Sequence, residues 1–173
     1  MTVPAPDSPA DLPTFRYVAR DEQGTRRLGA ALAAVLPAGT TVGLAGTLGA
    51  GKTRLVQVIA AACGVAPERV VSPTFVLCQP YEGTRTLYHL DAYRLKDEDE
   101  FLDLGPEEYF ESDGLTLVEW SDRVASCLPP ERIEIHIQVA GETAREFEVA
   151  ALGAQYAHVP EALRRVLATP ANR

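Results

Sequence analysis

The sequence predicts an α/β layered domain with a mixed sheet, and three observations point that way. Short β-branched and apolar runs alternate with amphipathic helical stretches. A glycine-rich turn, 46–51, joins one such strand to one such helix. Two hairpin signals, Tyr81-Glu82-Gly83-Thr84 and Gly141-Glu142, mean that the sheet is not purely parallel.

Each element follows from local chemistry. Residues 1–13 carry four prolines and no basic residue, and read as a frayed tail rather than a secretory signal. The domain is expected over 14–173. Phe15 to Ala19 suits a short strand. Asp21 can cap a helix over Glu22 to Leu36, with Leu28, Leu32, Val35 and Leu36 inside, ended by Pro37 and Gly39. Thr40 to Ala45 suits a buried strand. Lys52 to Cys63 reads as a helix burying Leu55, Val56, Ile59 and Ala62, stopped by Gly64. Phe75 to Gln79 and Arg85 to Leu90 form the first hairpin. The acidic stretch that follows carries one or two short helices broken at Gly105-Pro106. Leu115 to Val118 is an apolar strand ending at Glu119. Residues 121–128 are expected to be helical, up to Pro129-Pro130. Arg132 to Val139 and Arg145 to Ala150 form the second hairpin. Pro160 opens a last helix with Leu163, Val166 and Leu167 inside.

Composition narrows the function. The 173 residues are 46% hydrophobic and 23% charged, an ordinary globular balance. No apolar run approaches the ~20 residues that span a bilayer, so no membrane partner is expected. Three cysteines with no close pair exclude a disulfide framework and a CxxC-type zinc site. A reducing cytoplasm is the expected compartment. The net charge of −8 argues against a nonspecific grip on nucleic acid. Nine acids and no base lie between Asp97 and Asp113; without them, 16 basic face 15 acidic residues. This acidic pole, 97–113, is either a solvated helix face or a docking surface.

Gly46-Thr47-Leu48-Gly49-Ala50-Gly51-Lys52-Thr53 fits the phosphate-loop pattern G-x-x-x-x-G-K-[ST] in full. Glycines let successive backbone N–H groups of Thr47, Leu48, Gly49, Ala50 and Gly51 converge on phosphate oxygens. The helix that follows adds its positive end. Lys52 can span the β- and γ-phosphates of ATP, and Thr53 offers a hydroxyl to Mg²⁺. The fold class sharpens to a P-loop NTPase domain, a mixed sheet flanked by helices. A metal-side carboxylate is then expected at the end of an apolar strand. Leu115-Thr116-Leu117-Val118-Glu119 and Leu87-Tyr88-His89-Leu90-Asp91 both deliver one, so Asp91 and Glu119 are candidates for catalysis and metal binding. Ser72-Pro73-Thr74 is either a proline bend or a switch in which Thr74 senses the γ-phosphate. Arg94 is either a stabiliser of transferred phosphate or a surface ion-pair partner. His89 reads as structural. Trp120 reads as core packing or as a reporter beside the site.

Four motifs occur in order: the phosphate loop, Ser72-Pro73-Thr74-Phe75, His89-Leu90-Asp91-Ala92-Tyr93-Arg94-Leu95 and Leu117-Val118-Glu119-Trp120. Together they resemble the TsaE (YjeE) family, bacterial ATPases of tRNA threonylcarbamoyladenosine synthesis, from about Asp21 to Ile137. The resemblance implies slow Mg²⁺-dependent ATP hydrolysis in the service of the TsaB–TsaD complex. TsaD itself transfers the threonylcarbamoyl group to an adenosine of ANN-reading tRNAs, so tRNA is an indirect partner. It also implies that Lys52 holds phosphate, that Thr53 and Glu119 hold the metal, and that Asp91 supports the metal or its water. Thr74 would belong to a switch-like segment. Glu22, on the first helix, and Thr143 are the candidates near adenine. Many members have aspartate where this chain has Thr47; losing an acid beside a triphosphate is not expected to impair ATP binding. Two other functions fit a phosphate loop: a small metabolite kinase, and a nucleotide-gated binding module with negligible catalysis.

Overall fold

Seven strands pair into one sheet: β1 (Thr14–Ala19), β2 (Thr41–Ala45), β3 (Cys78–Tyr81), β4 (Leu87–Asp91), β5 (Leu115–Glu119), β6 (Arg132–Val139) and β7 (Arg145–Leu152). The computed structural model describes residues 12–73 and 77–169. The strand order is β1-β7-β6-β2-β5-β4-β3. The four central strands, β6-β2-β5-β4, run parallel. The antiparallel neighbours β7, β1 and β3 lie outside them. The two hairpins, β3–β4 and β6–β7, are therefore what makes the sheet mixed.

Helices α1 (Glu22–Val35), α2 (Lys52–Ala62) and α5 (Val159–Ala168) share one core with the sheet. Asp21 starts α1 by accepting from the Gly24 amide at 2.9 Å. Gly29 lets α1 approach α2 closely, because a Cβ there would stand 2.4 Å from Val58 Cγ2. On the strands, Val42, Leu44, Leu115, Leu117, Ile133 and Ile135 fill this core. A smaller cluster holds Leu90, Val118, Phe101 and Val124. It carries α3 (Glu98–Leu102) and α4 (Glu107–Phe110), the two short helices of the acidic stretch. Phe101, Tyr109 and Phe110 pack into this cluster and Leu102 is exposed, while eight of the nine acids are exposed and Glu100 is half-buried.

Several expectations shift. Ala62 is exposed, because the end of α2 turns Ile59, Ala60 and Cys63 to the core and leaves Ala61 and Ala62 outside, before Gly64 stops the helix at φ +82°. Val166 is also exposed; the buried stripe of α5 follows Val159, Pro160 and Leu163, with Leu167 packed beside it. Val35 is only half-buried. Residues 121–128 form two 3-10 turns, Ser121–Arg123 and Ala125–Cys127, rather than one helix. Among the described residues β3 begins at Cys78, after Leu77 turns the chain at φ +66°. Phe75 and Thr74 lie outside the described residues, as does most of the expected N-terminal tail, 1–11.

Candidate functional site

β2 and β5 are parallel neighbours, so their carboxyl ends open on the same edge of the sheet, where α/β folds place their ligands. The chain leaves β2 at Ala45 and turns through Gly46. Residue 46 has φ +150°, and a Cβ there would lie 2.5 Å from the Ile137 carbonyl oxygen. Only glycine lets the loop pass β6 so closely. Gly51 caps α2 at φ +112°, aiming the first amides of an eleven-residue helix at the cleft.

Lys52 lies back along this loop. Its Nζ donates to the carbonyls of Gly46 at 2.7 Å and Thr47 at 3.0 Å, and stands 3.6 Å from the centre of the Trp120 ring. It is only 5% exposed. Burial lowers its pKa, opposed by the charges of Glu119, Asp122 and Asp91. The ammonium is thus largely desolvated and ringed by acceptors.

The two strand-end acids lie side by side, because the parallel register of β4 and β5 pairs Asp91 with Glu119. Both are 3% exposed. Thr53 Oγ1 reaches both carboxylate oxygens of Glu119, at 2.8 and 2.9 Å. Asp91 Oδ1 accepts from the Tyr93 amide at 2.8 Å, and Ser72 Oγ donates to its Oδ2. The Ser-Pro-Thr segment therefore reaches the site through Ser72, whereas Thr74 lies outside the described residues. His89, expected to be structural, is fully buried and places Nε2 2.7 Å from Glu119 Oε1.

Lys52, Thr53, Ser72, Asp91 and Glu119 enclose a cleft of about 390 Å³, lined also by Leu48, Gly49, Arg54, Tyr93 and Arg94, while His89 lies behind it. Trp120, in a left-handed conformation at φ +60°, forms part of the wall and meets the Tyr93 ring at 4.9 Å. It is half-buried, so it belongs to the cleft more than to the core.

The donor set matches Mg²⁺ with a nucleotide. A hydroxyl and two carboxylates are hard oxygen donors, and Mg²⁺ asks for one or two carboxylates with phosphate and water completing its shell. The amide-rich loop and Lys52 match the phosphates. Among the described residues no cluster of three His, Cys, Asp or Glu side chains forms a closed metal cage.

A second pocket of about 250 Å³ adjoins the loop at Gly51 and contains both Glu22 and Thr143. The Glu22 carboxylate accepts from Arg26 at 2.7 Å and from Arg54. The Arg26 hydrogen bond and the Arg54 charge hold its pKa below the usual value. Thr143 Oγ1 donates to the Arg20 carbonyl at 3.0 Å.

Sequence reasoning missed Arg145, on the same pocket wall. Its Nε donates to the Ala50 carbonyl at 2.8 Å, tying β7 to the phosphate loop. No local pattern announces an arginine that acts on a loop 95 residues away. It also missed Arg123, which donates to the carbonyls of Tyr93 and Leu95 and so fastens the chain after β5 to the chain after β4. The partnership of His89 had a signal: alternation puts it on the same face of its strand as Asp91.

The chain matches, over residues 19–147, a family model described as Threonylcarbamoyl adenosine biosynthesis protein TsaE. It is 41% identical over 136 residues to the tRNA threonylcarbamoyladenosine biosynthesis protein TsaE of Treponema pallidum, covering 79% of this chain and 100% of that one. The Bacillus subtilis protein of the same name is 41% identical over 143 residues, covering 82% and 88%. The crystal structure of Bacillus subtilis YdiB superposes with a TM-score of 0.75 at 32% identity, covering 89% of this chain and 96% of that one.

Proposed function

The chain belongs to the TsaE family, and from that premise we propose that it is a Mg²⁺-dependent ATPase acting with the TsaB–TsaD complex in threonylcarbamoyladenosine modification of tRNA. One observation carries the nucleotide reading: Thr53, Glu119 and Asp91 converge beside a complete phosphate loop. Mg²⁺, when bound, would neutralise charge on the phosphates. Lys52 would leave the loop carbonyls for the β- and γ-phosphates. Thr53 and Glu119 would hold the metal side. Asp91 would orient water there, with Ser72 and the Tyr93 amide fixing its carboxylate. The pocket beside Gly51, with Glu22 and Thr143 on its wall, suits the adenine. No helix among the described residues is long and apolar enough to cross a membrane, and a cytoplasmic setting accords with tRNA as the modified molecule.

ATP turnover by the purified protein, alone and with TsaB–TsaD plus tRNA, tests this reading. Slow turnover alone that rises with the complex is the expected result. Turnover indifferent to the complex but dependent on a small hydroxylated acceptor would identify a kinase instead.

The acidic face of α3 and α4 is the surface we assign to partner docking, since its acids are turned to solvent beside the exposed Leu102 while Phe101, Tyr109 and Phe110 are spent on the core. Reversing charges at Glu98, Asp99, Asp103 and Glu107 is expected to weaken complex formation in pull-down and to remove the loss of assembly that added salt causes in the wild type. Unchanged assembly would remove the face from the interface.

A further inference from the structure

We propose that His89 is the positioning residue for Glu119, fixing that carboxylate for the metal side of the cleft. The inference rests on the Mg²⁺–nucleotide reading above. His89 is 0% exposed, inside β4, in register with Leu117 of β5. An apolar side chain suits such a place, as Leu87 and Leu117 show by filling the same core. The imidazole is instead polar, and its Nδ1 is buried with no hydrogen-bond partner among the described residues. The ring's one polar attachment there is Nε2 to Glu119 Oε1, at 2.7 Å. A carboxylate only accepts, so Nε2 is the nitrogen that carries the proton. That bond sets the plane of the Glu119 carboxylate and leaves both oxygens within reach of Thr53 Oγ1. Buried partners of this kind orient a metal-binding side chain without touching the metal. Packing alone does not call for a half-satisfied imidazole at this position; holding Glu119 does.

The full-length chain tests this with three variants, using ADP and Mg²⁺ as probes and Trp120 fluorescence or calorimetry as readout. His89→Leu is expected to raise the Mg²⁺ concentration that half-tightens ADP binding by about 10–100-fold. ADP binding in EDTA is expected to stay at the wild-type value. His89→Gln puts an amide N–H at the place of Nε2 and is expected to restore the Mg²⁺ response. His89→Asn puts it at the place of Nδ1 and is expected not to. The proposal is overturned if His89→Leu keeps the wild-type Mg²⁺ response, if its ADP binding in EDTA falls by the same factor, or if Asn serves as well as Gln. If thermal unfolding shows that His89→Leu does not fold, the Gln–Asn pair decides alone. A wild type that fails to bind ADP, or whose ADP binding ignores Mg²⁺, would overturn the Mg²⁺–nucleotide reading itself, a result distinct from loss of the His89 effect.

Discussion

Lys52→Ala is expected to abolish nucleotide binding and turnover together, without unfolding the protein. The Lys52 ammonium is already out of water and is held by two loop carbonyls at 2.7 and 3.0 Å. Phosphate oxygens would replace those carbonyls with charged acceptors in the same desolvated place. Hydrogen bonds to charged groups contribute about 1.5–3 kcal/mol each. Losing two such bonds lowers affinity by on the order of 10²–10⁴-fold. The fold should tolerate the change. Burial lowers the Lys52 pKa, so the charged ammonium is disfavoured where it sits, and removing it removes that desolvation cost. Alanine is a good residue in a helix, and the two carbonyls it frees belong to Gly46, which is half-buried, and Thr47, which is exposed. Calorimetry with ADP and a thermal melt separate the outcomes. Affinity within threefold of wild type would contradict the phosphate-loop assignment; lost affinity with a collapsed melting temperature would make Lys52 a structural residue.

What the sequence revealed about this site depends on how far apart the cooperating residues lie. The phosphate loop was legible because its chemistry is local: eight consecutive residues dictate a turn, a helix start and a lysine. Glu119 and Asp91 were each legible as the acid closing an apolar strand, but their adjacency was not. It comes from the parallel register of β4 and β5, which 23 intervening residues of loop and short helix leave open. The same register turns His89 from a buried histidine into the partner of Glu119. Arg145 was invisible for the same reason at greater range, since only the folded sheet brings β7 beside the phosphate loop. The helix errors are of another kind. Ala62 and Val166 sit at positions that periodicity assigns to the buried stripe, yet the core takes the next residue along, Cys63 and Leu167, and leaves these two at the margin. Periodicity gives the direction of a side chain, and burial also needs a neighbour.

Glu119→Gln is expected to remove turnover, alone and with TsaB–TsaD, while leaving ADP binding in EDTA intact. The amide keeps the shape of the carboxylate and loses its charge. At an effective dielectric of ~20, a unit charge a few ångströms from a cation is worth about 4 kcal/mol or less. The Mg²⁺-dependent gain in affinity should therefore fall by on the order of 100–1,000-fold. The fold should persist. His89 Nε2 can still donate to the remaining amide oxygen, and the Thr53 hydroxyl can rotate to accept from the new amide N–H. The buried His89 donor is then not stranded, the half-buried Thr53 hydroxyl can turn its proton to the cleft, and a carboxylate that is only 3% exposed no longer has to be desolvated. Steady-state turnover, a Mg²⁺ titration of ADP binding and a thermal melt of the same preparation check each part. Turnover within a few-fold of wild type would shift the metal side to Asp91. The variant also separates two roles for ATP. If tRNA modification stops with turnover, hydrolysis is the working event. If assembly and modification continue, ATP acts as a ligand that selects a conformation, because Glu119→Gln spares the Lys52 and phosphate-loop contacts through which nucleotide would do so.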